Sequence, residues 1–395
     1  VTVLQEALAR DKVEQEKQRG NRVSKAEALR STSAFIQIIH KYRDSFIANN
    51  NVPPERIAIF DEAQRAWTQD MIAKFMSTKK GVPDFPYSEP EFLISTMDRH
   101  EDWAVVICLV GGGQEINTGE AGISEWIHAL NDKFPHWKVY ISPKLTEPEY
   151  AEGKVNELLA KNENVTYSEN LHLGVSLRSF RAEKLSAFVH SLLTFNPDAA
   201  ELYNEIKDRY PIVLTRDMET AKRWLHSKVR GTERTGVLVT KEAARFKPLG
   251  IHILPSGDEN AVHWFLEDKI DTRASNYLED AATEIQVQGL ELDYTCVLWD
   301  ADMRCDNGKW RYYTFNGKTA WNEKLPDTEN KQEQIKYMLN AYRVLLTRAR
   351  AGMVICVPAG NPNKNPSGFW EDSTRLPEFY NGTYEYLKSL GIEEI

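Results

Sequence analysis

The chain has 395 residues, 42% hydrophobic and 27% charged, with a formal net charge of −9. At ~100–200 residues per domain this length predicts two domains, or two plus an insertion, and the composition is that of a globular protein, not a disordered one. The acidic balance excludes a global positive field that would draw the chain onto nucleic acid, and no apolar run approaches the ~20 residues of a membrane-spanning helix.

In chain order, the apolar stripe Val1, Leu4, Leu8 suits a helix, and Phe35, Ile38, Ile39, Tyr42 and Phe46 again follow helical spacing. Ile57 to Phe60 reads as a short buried strand. The apolar run Val105 to Val110 ends in three glycines, a helical stripe follows at Ile123, Trp126, Ile127, Leu130 and Phe134, and Val139 to Ile141 reads as another strand. Such alternation predicts a parallel sheet covered on both faces. A helix at about 183–195 leads to Asn196-Pro197-Asp198, where a domain boundary is expected.

The pattern then restarts. Pro211 to Thr215, a helix opened by Asp217, Gly236 to Thr240, Thr295 to Trp299 and Gly352 to Val357 predict a second α/β domain. The polar and aromatic stretch at about 303–335 is expected to be an insertion, with Trp310 to Trp321 a hairpin turning at Asn316-Gly317. The expected domains are therefore 1–195 and 196–395. Cys108, Cys296 and Cys356 lie in apolar strand-like runs, where a thiol acts as a small hydrophobe.

The strongest chemical signal is Asp61-Glu62-Ala63-Gln64 directly after the first strand. Adjacent carboxylates at the carboxyl edge of a parallel sheet suit phosphoryl transfer: one holds Mg²⁺ through water and the other orients or deprotonates the attacking water. Asp61 and Glu62 also suit a helix N-terminus, where negative side chains offset the dipole. Gly317-Lys318-Thr319 ends like a phosphate-binding loop, but the position five before Gly317 is Tyr312 and the segment sits in a predicted hairpin, so it is read as a turn.

Further segments follow in a telling order: Gly111-Gly112-Gly113-Gln114, Leu177-Arg178-Ser179-Phe180-Arg181, Gln288-Gly289-Leu290-Glu291 and Tyr342-Arg343 through Thr347-Arg348-Ala349-Arg350. Together with Asp61 to Gln64 they resemble superfamily 1 DNA/RNA helicases, and more closely the Schlafen-group helicase-like domains. The resemblance implies two RecA-like P-loop NTPase domains with parallel sheets, a site for ATP and Mg²⁺, and a DNA or RNA partner that is single-stranded. It implies Asp61 on the metal through water, Glu62 on the attacking water, Gln64 and Gln114 as nucleotide sensors, and Arg181, with Arg178 beside it, on the γ-phosphate. Gly289 and Glu291 would approach nucleic acid and the nucleotide sugar. Arg348 would act as an arginine finger across the domain cleft, with Arg350 close by. Family members carry an aspartate before the position of Gln114 and a basic residue at that of Gln288, and this chain departs from both.

No Gly-x-x-x-x-Gly-Lys-Ser/Thr occurs in the 395 residues. The first domain is therefore expected to be N-terminally incomplete, with the loop upstream and a fused or associated nuclease or other effector domain possible beyond it. As given, the chain is expected to lack NTPase activity. The alternatives are a non-catalytic nucleic-acid or protein binding module with the same fold, and a nuclease or phosphatase using Asp61, Glu62, Asp300 and Asp302. Trp299, Trp310 and Trp321 are candidates for stacking on bases or for packing inside a hairpin. A cytoplasmic location is expected.

Overall fold

The computed structural model describes residues 1–47, 49–111, 122–146, 154–160, 162–172, 180–255, 257–318 and 320–395. The chain divides into two compact units, one of residues 33–175 with Val1 and one of residues 2–32 with 176–395. This is a different division from the one expected at Asn196: the helix Phe180–Leu193 belongs to the second unit, and so does the N-terminal helix Thr2–Gln18.

The first unit is built from short parallel pairs. Strand β1 (Ile57–Phe60) pairs with β2 (Val105–Cys108), Ile57 opposite Val105 and Phe60 opposite Cys108, and β3 (Val139–Ile141) pairs with β4 (Val165–Tyr167). The helices Glu89–Met97 and Gly122–Asp132 cover one face, where Leu93, Ile94, Trp126 and Phe134 close a core with Phe60 and Cys108. The other face of β1–β2 differs from the expected buried strands: Ile57, Ile59, Val105 and Ile107 are all exposed. The stripe from Phe35 to Phe46 is also not one helix. One helix ends at Phe35, the next is Ile39–Ile47, and the Gln37 side chain donates to the Ala34 carbonyl at the break.

The second unit holds a seven-stranded, all-parallel sheet. Its strands are β5 (Ile212–Thr215), β6 (Thr235–Val239), β7 (His252–Ile253), β8 (Asp280–Thr283), β9 (Leu292–Leu298), β13 (Ala349–Cys356) and β14 (Glu393–Glu394). They lie in the order β14-β5-β13-β9-β6-β8-β7. Every residue of β5 and β6 is buried, as a parallel sheet covered on both faces requires. Between β9 and β13 the insertion forms an antiparallel sheet of β10 (Met303–Asp306), β11 (Lys309–Phe315) and β12 (Trp321–Glu323). The chain turns between β11 and β12 at Asn316-Gly317, with Asn316 N–H donating to the Ala320 carbonyl at 3.0 Å and Gly317 at φ 78°. Lys318 is thus a turn residue between antiparallel strands; Thr319 lies outside the described residues.

The N-terminal helix exists, but its expected apolar face is the wrong one. Val1, Leu4 and Leu8 are exposed, while Val3, Gln5, Glu6 and Ala9 are buried. A polar network turns the helix: Glu6 accepts from Arg10 at 2.8 Å and Lys25 at 2.5 Å, and Arg10 also reaches Glu267 at 3.0 Å and the Leu266 carbonyl at 3.3 Å. Among the described residues no helix is long and apolar enough to cross a membrane.

Candidate functional site

In the first unit, β1 delivers Asp61 and Glu62 to the carboxyl edge of a parallel pair. The path beyond the strand is fixed rung by rung: Leu109 N–H donates to the Phe60 carbonyl at 2.9 Å, and Ala63 N–H to the Leu109 carbonyl at 2.9 Å. Trp126 Nε1 donates to the Ala63 carbonyl at 2.8 Å, so the core helix Gly122–Asp132 holds the turn from beneath. Glu62 takes the left-handed backbone conformation, φ 53° and ψ 43°, which costs a side-chain-bearing residue ~1–2 kcal/mol. Asp61 Oδ1 offsets part of that by accepting from Glu62 N–H at 3.1 Å.

Gln64 ties the site together. It is buried, its Nε2 donates to Glu62 Oε2 at 2.6 Å, and its Oε1 accepts from Gly111 N–H at 3.1 Å. One amide therefore spans from the candidate water-activating carboxylate to the glycine segment that follows β2. Its two ends are chemically distinct: only the NH2 group can donate to Glu62, and only the oxygen can accept from Gly111. Asp61 is exposed and presents hard oxygen donors, which fits Mg²⁺, an ion held through one or two carboxylates with phosphates and water completing its shell. Gln114 and Arg178 lie outside the described residues. Arg181 falls in the first turn of the helix Phe180–Leu193, with its side chain outside the described part.

In the second unit the remaining residues gather at the amino edge of the sheet, where β6, β9 and β13 begin side by side. Gly289 adopts φ 76° in a turn closed by Leu290 N–H on the Val287 carbonyl at 3.0 Å, with open space where a Cβ would be. Glu291 follows, directly before β9. Leu292 N–H donates to the Arg348 carbonyl at 3.2 Å, joining the Gly289–Glu291 turn to the Thr347–Arg350 segment. Arg348 is buried, and its Nε donates to the Val344 carbonyl at 3.1 Å, in the last turn of the helix Glu329–Leu346. Arg350 is exposed, and its Nη2 meets Asp293 Oδ1 at 2.8 Å. Asp293 Oδ2 accepts from Arg234 N–H at 2.8 Å. Asp293, two residues after Glu291, has no role in the sequence reading, yet it stands on the same edge and holds both Arg350 and the Arg234 backbone.

Asp300 and Asp302 are at the opposite, carboxyl edge, fully buried and already supplied with donors. Asp300 accepts from the N–H groups of Ala244, Arg245 and Ala301 at 2.9, 3.0 and 2.8 Å and from the Tyr380 hydroxyl at 3.2 Å. Asp302 accepts from Thr240 at 2.5 Å and from Tyr342 at 2.7 Å. Burial, reinforced by Asp300, pushes the Asp302 carboxyl up to about 7. Such acids knit a core and do not present oxygens to a metal. The tryptophans weighed as base platforms are packed too. Trp299 is buried, Trp310 Nε1 donates to the Leu193 carbonyl at 2.9 Å, and Trp321 Nε1 to the Thr374 carbonyl at 2.8 Å.

No curated protein matches the chain. The family described as Schlafen group 3, DNA/RNA helicase domain, matches residues 1–359. That span includes every site residue above and both sheet edges that carry them, so the chain belongs to the Schlafen group 3 DNA/RNA helicase domain family.

Proposed function

We propose that this chain is the motor region of an ATP-hydrolysing, single-strand DNA or RNA translocase built on two RecA-like domains. The observation that carries the reading is the Glu62–Gln64–Gly111 relay on a strained backbone at the carboxyl edge of β1–β2. In this reading Glu62 accepts a proton from the attacking water, Asp61 holds Mg²⁺ through water, and Gln64 passes the state of the site to the segment after β2 that contains Gln114. Arg181, with Arg178, contacts the γ-phosphate. Arg348 exchanges the Val344 carbonyl for the transferred phosphoryl group, and Gly289, Glu291 and Arg350 border the nucleotide and the nucleic acid. Mg²⁺, when bound, neutralises charge developing on the phosphoryl oxygens.

The 395 residues contain no phosphate-binding loop sequence, so by themselves they are expected to bind ATP weakly and hydrolyse it little. A titration with ATP and Mg²⁺ giving micromolar affinity for this chain would overturn that expectation. In the full natural protein, Glu62→Gln is expected to reduce single-strand-stimulated phosphate release by roughly 10²–10⁴-fold while ATP still binds. Unchanged turnover would rule out Glu62 as the base.

A further inference from the structure

Resting on the motor reading, we propose that Tyr342 and Asp302 are positioning residues for Arg348, acting from the core side of the helix that carries it. Arg348 follows the helix Glu329–Leu346 after its C-cap Thr347 and is bound to that helix's last turn through Nε and the Val344 carbonyl. Thr347 Oγ1 closes on the Arg343 carbonyl at 2.8 Å. The Nε bond to Val344 thus ties the guanidinium to the helix end.

Val344, Leu345 and Leu346 anchor that end by apolar burial, which is non-directional and tolerates sliding. Tyr342, roughly one and two-thirds turns before Arg348, supplies the direction. Its hydroxyl donates to Asp302 Oδ1 at 2.7 Å, and its ring lies on Trp299 with centroids 4.1 Å apart and planes 29° apart. The other oxygen of Asp302 accepts from Thr240, the residue after β6, and Asp302 itself follows β9. Trp310 of the insertion lies on Trp299 in turn, with centroids 5.4 Å apart. The helix end is thus referenced to two central strands and to the inserted sheet through two hydroxyls, one carboxyl and a three-ring stack.

The test is a cycle in the full natural protein, reading kcat and KM for ATP with single-stranded nucleic acid present. Arg348→Ala is expected to lower kcat by about a thousandfold or more. Tyr342→Phe keeps the ring and removes only the hydroxyl, and is expected to lower kcat by roughly five- to tenfold with KM unchanged. Added to Arg348→Ala, Tyr342→Phe is expected to cost nothing more, because it acts through the absent guanidinium. Asp302→Asn, which can still accept from Tyr342, is expected to retain activity where Asp302→Ala loses it. Thermal melts normalise each value to the folded fraction.

An active wild type with inert Arg348→Ala but undiminished Tyr342→Phe overturns the positioning role alone. So does a Tyr342→Phe loss that persists in full on the Arg348→Ala background. An inactive wild type overturns the motor reading and this proposal with it.

Discussion

Asp302 shows how a buried acid records its surroundings. An aspartate carboxyl ordinarily titrates near 3.8, and here burial beside Asp300 raises it to about 7, although Thr240 and Tyr342 donate to it. The folded state therefore holds the proton more tightly than the unfolded state. That contribution to stability is fully present below the ordinary carboxylate range and is lost as pH rises through about 7. The urea midpoint of the wild type is expected to fall between about pH 5 and about pH 8. Asp302→Asn preserves the hydroxyl partners and removes the proton, so its midpoint should be flatter across the same window. Parallel slopes for the two proteins would assign the titration elsewhere. At the same scale, Arg348 and Arg350 read alike in the sequence, two basic residues around an alanine. Arg348 is folded onto its own helix, whereas Arg350 meets Asp293 in the open, and that difference in contacts is visible only in the folded chain.

Elements were legible where local chemistry decides them. The helix Met218–Lys228 begins where an aspartate was expected to open it: Asp217 accepts from Thr220 N–H at 2.7 Å, and this bond with the Thr220 hydroxyl holds its carboxyl below the usual range. Asp217→Ala is expected to lower unfolding stability by ~1 kcal/mol at neutral pH. Because the folded pKa is depressed, the wild-type advantage should shrink as pH falls below the ordinary carboxylate range, which urea titrations at neutral and acid pH would show. The hairpin at Asn316-Gly317 was equally legible, since a glycine at positive φ is what such a turn needs. The N-terminal helix was legible in kind but not in orientation. Its spacing marks an apolar stripe, yet Glu6 and Arg10 find partners in Lys25 and Glu267, and the last of these is far away in sequence. The buried pair Arg43 and Glu89, 3.1 Å apart, was illegible for the same reason: each looks like an ordinary charged helix residue until the other is in place.

At the scale of the molecule, the two units use parallel strands differently, and this limits what an apolar run reveals. Ile212 to Leu214 and Ile57 to Ile59 read alike, but every residue of β5 is covered while Ile57 and Ile59 face outward. A sequence states what each side chain is, not what lies opposite it, so cover on both faces was inferred for both sheets and holds for the larger one. The difference has a measurable consequence for the energetics of the first unit. Leu93 lies fully buried in the cluster beneath β1 and β2, touching the side that Phe60 and Cys108 face. Leu93→Ala leaves a cavity and is expected to cost ~2–5 kcal/mol in urea unfolding. Ile59 is an isoleucine of the same sheet with 63% of its surface in solvent. Ile59→Thr keeps the β-branch, removes little buried area, and is expected to shift stability by no more than ~0.5 kcal/mol. A cost for Ile59→Thr approaching that of Leu93→Ala would mean that the outward face of β1–β2 is covered in solution, and the division between its two faces would have to be redrawn.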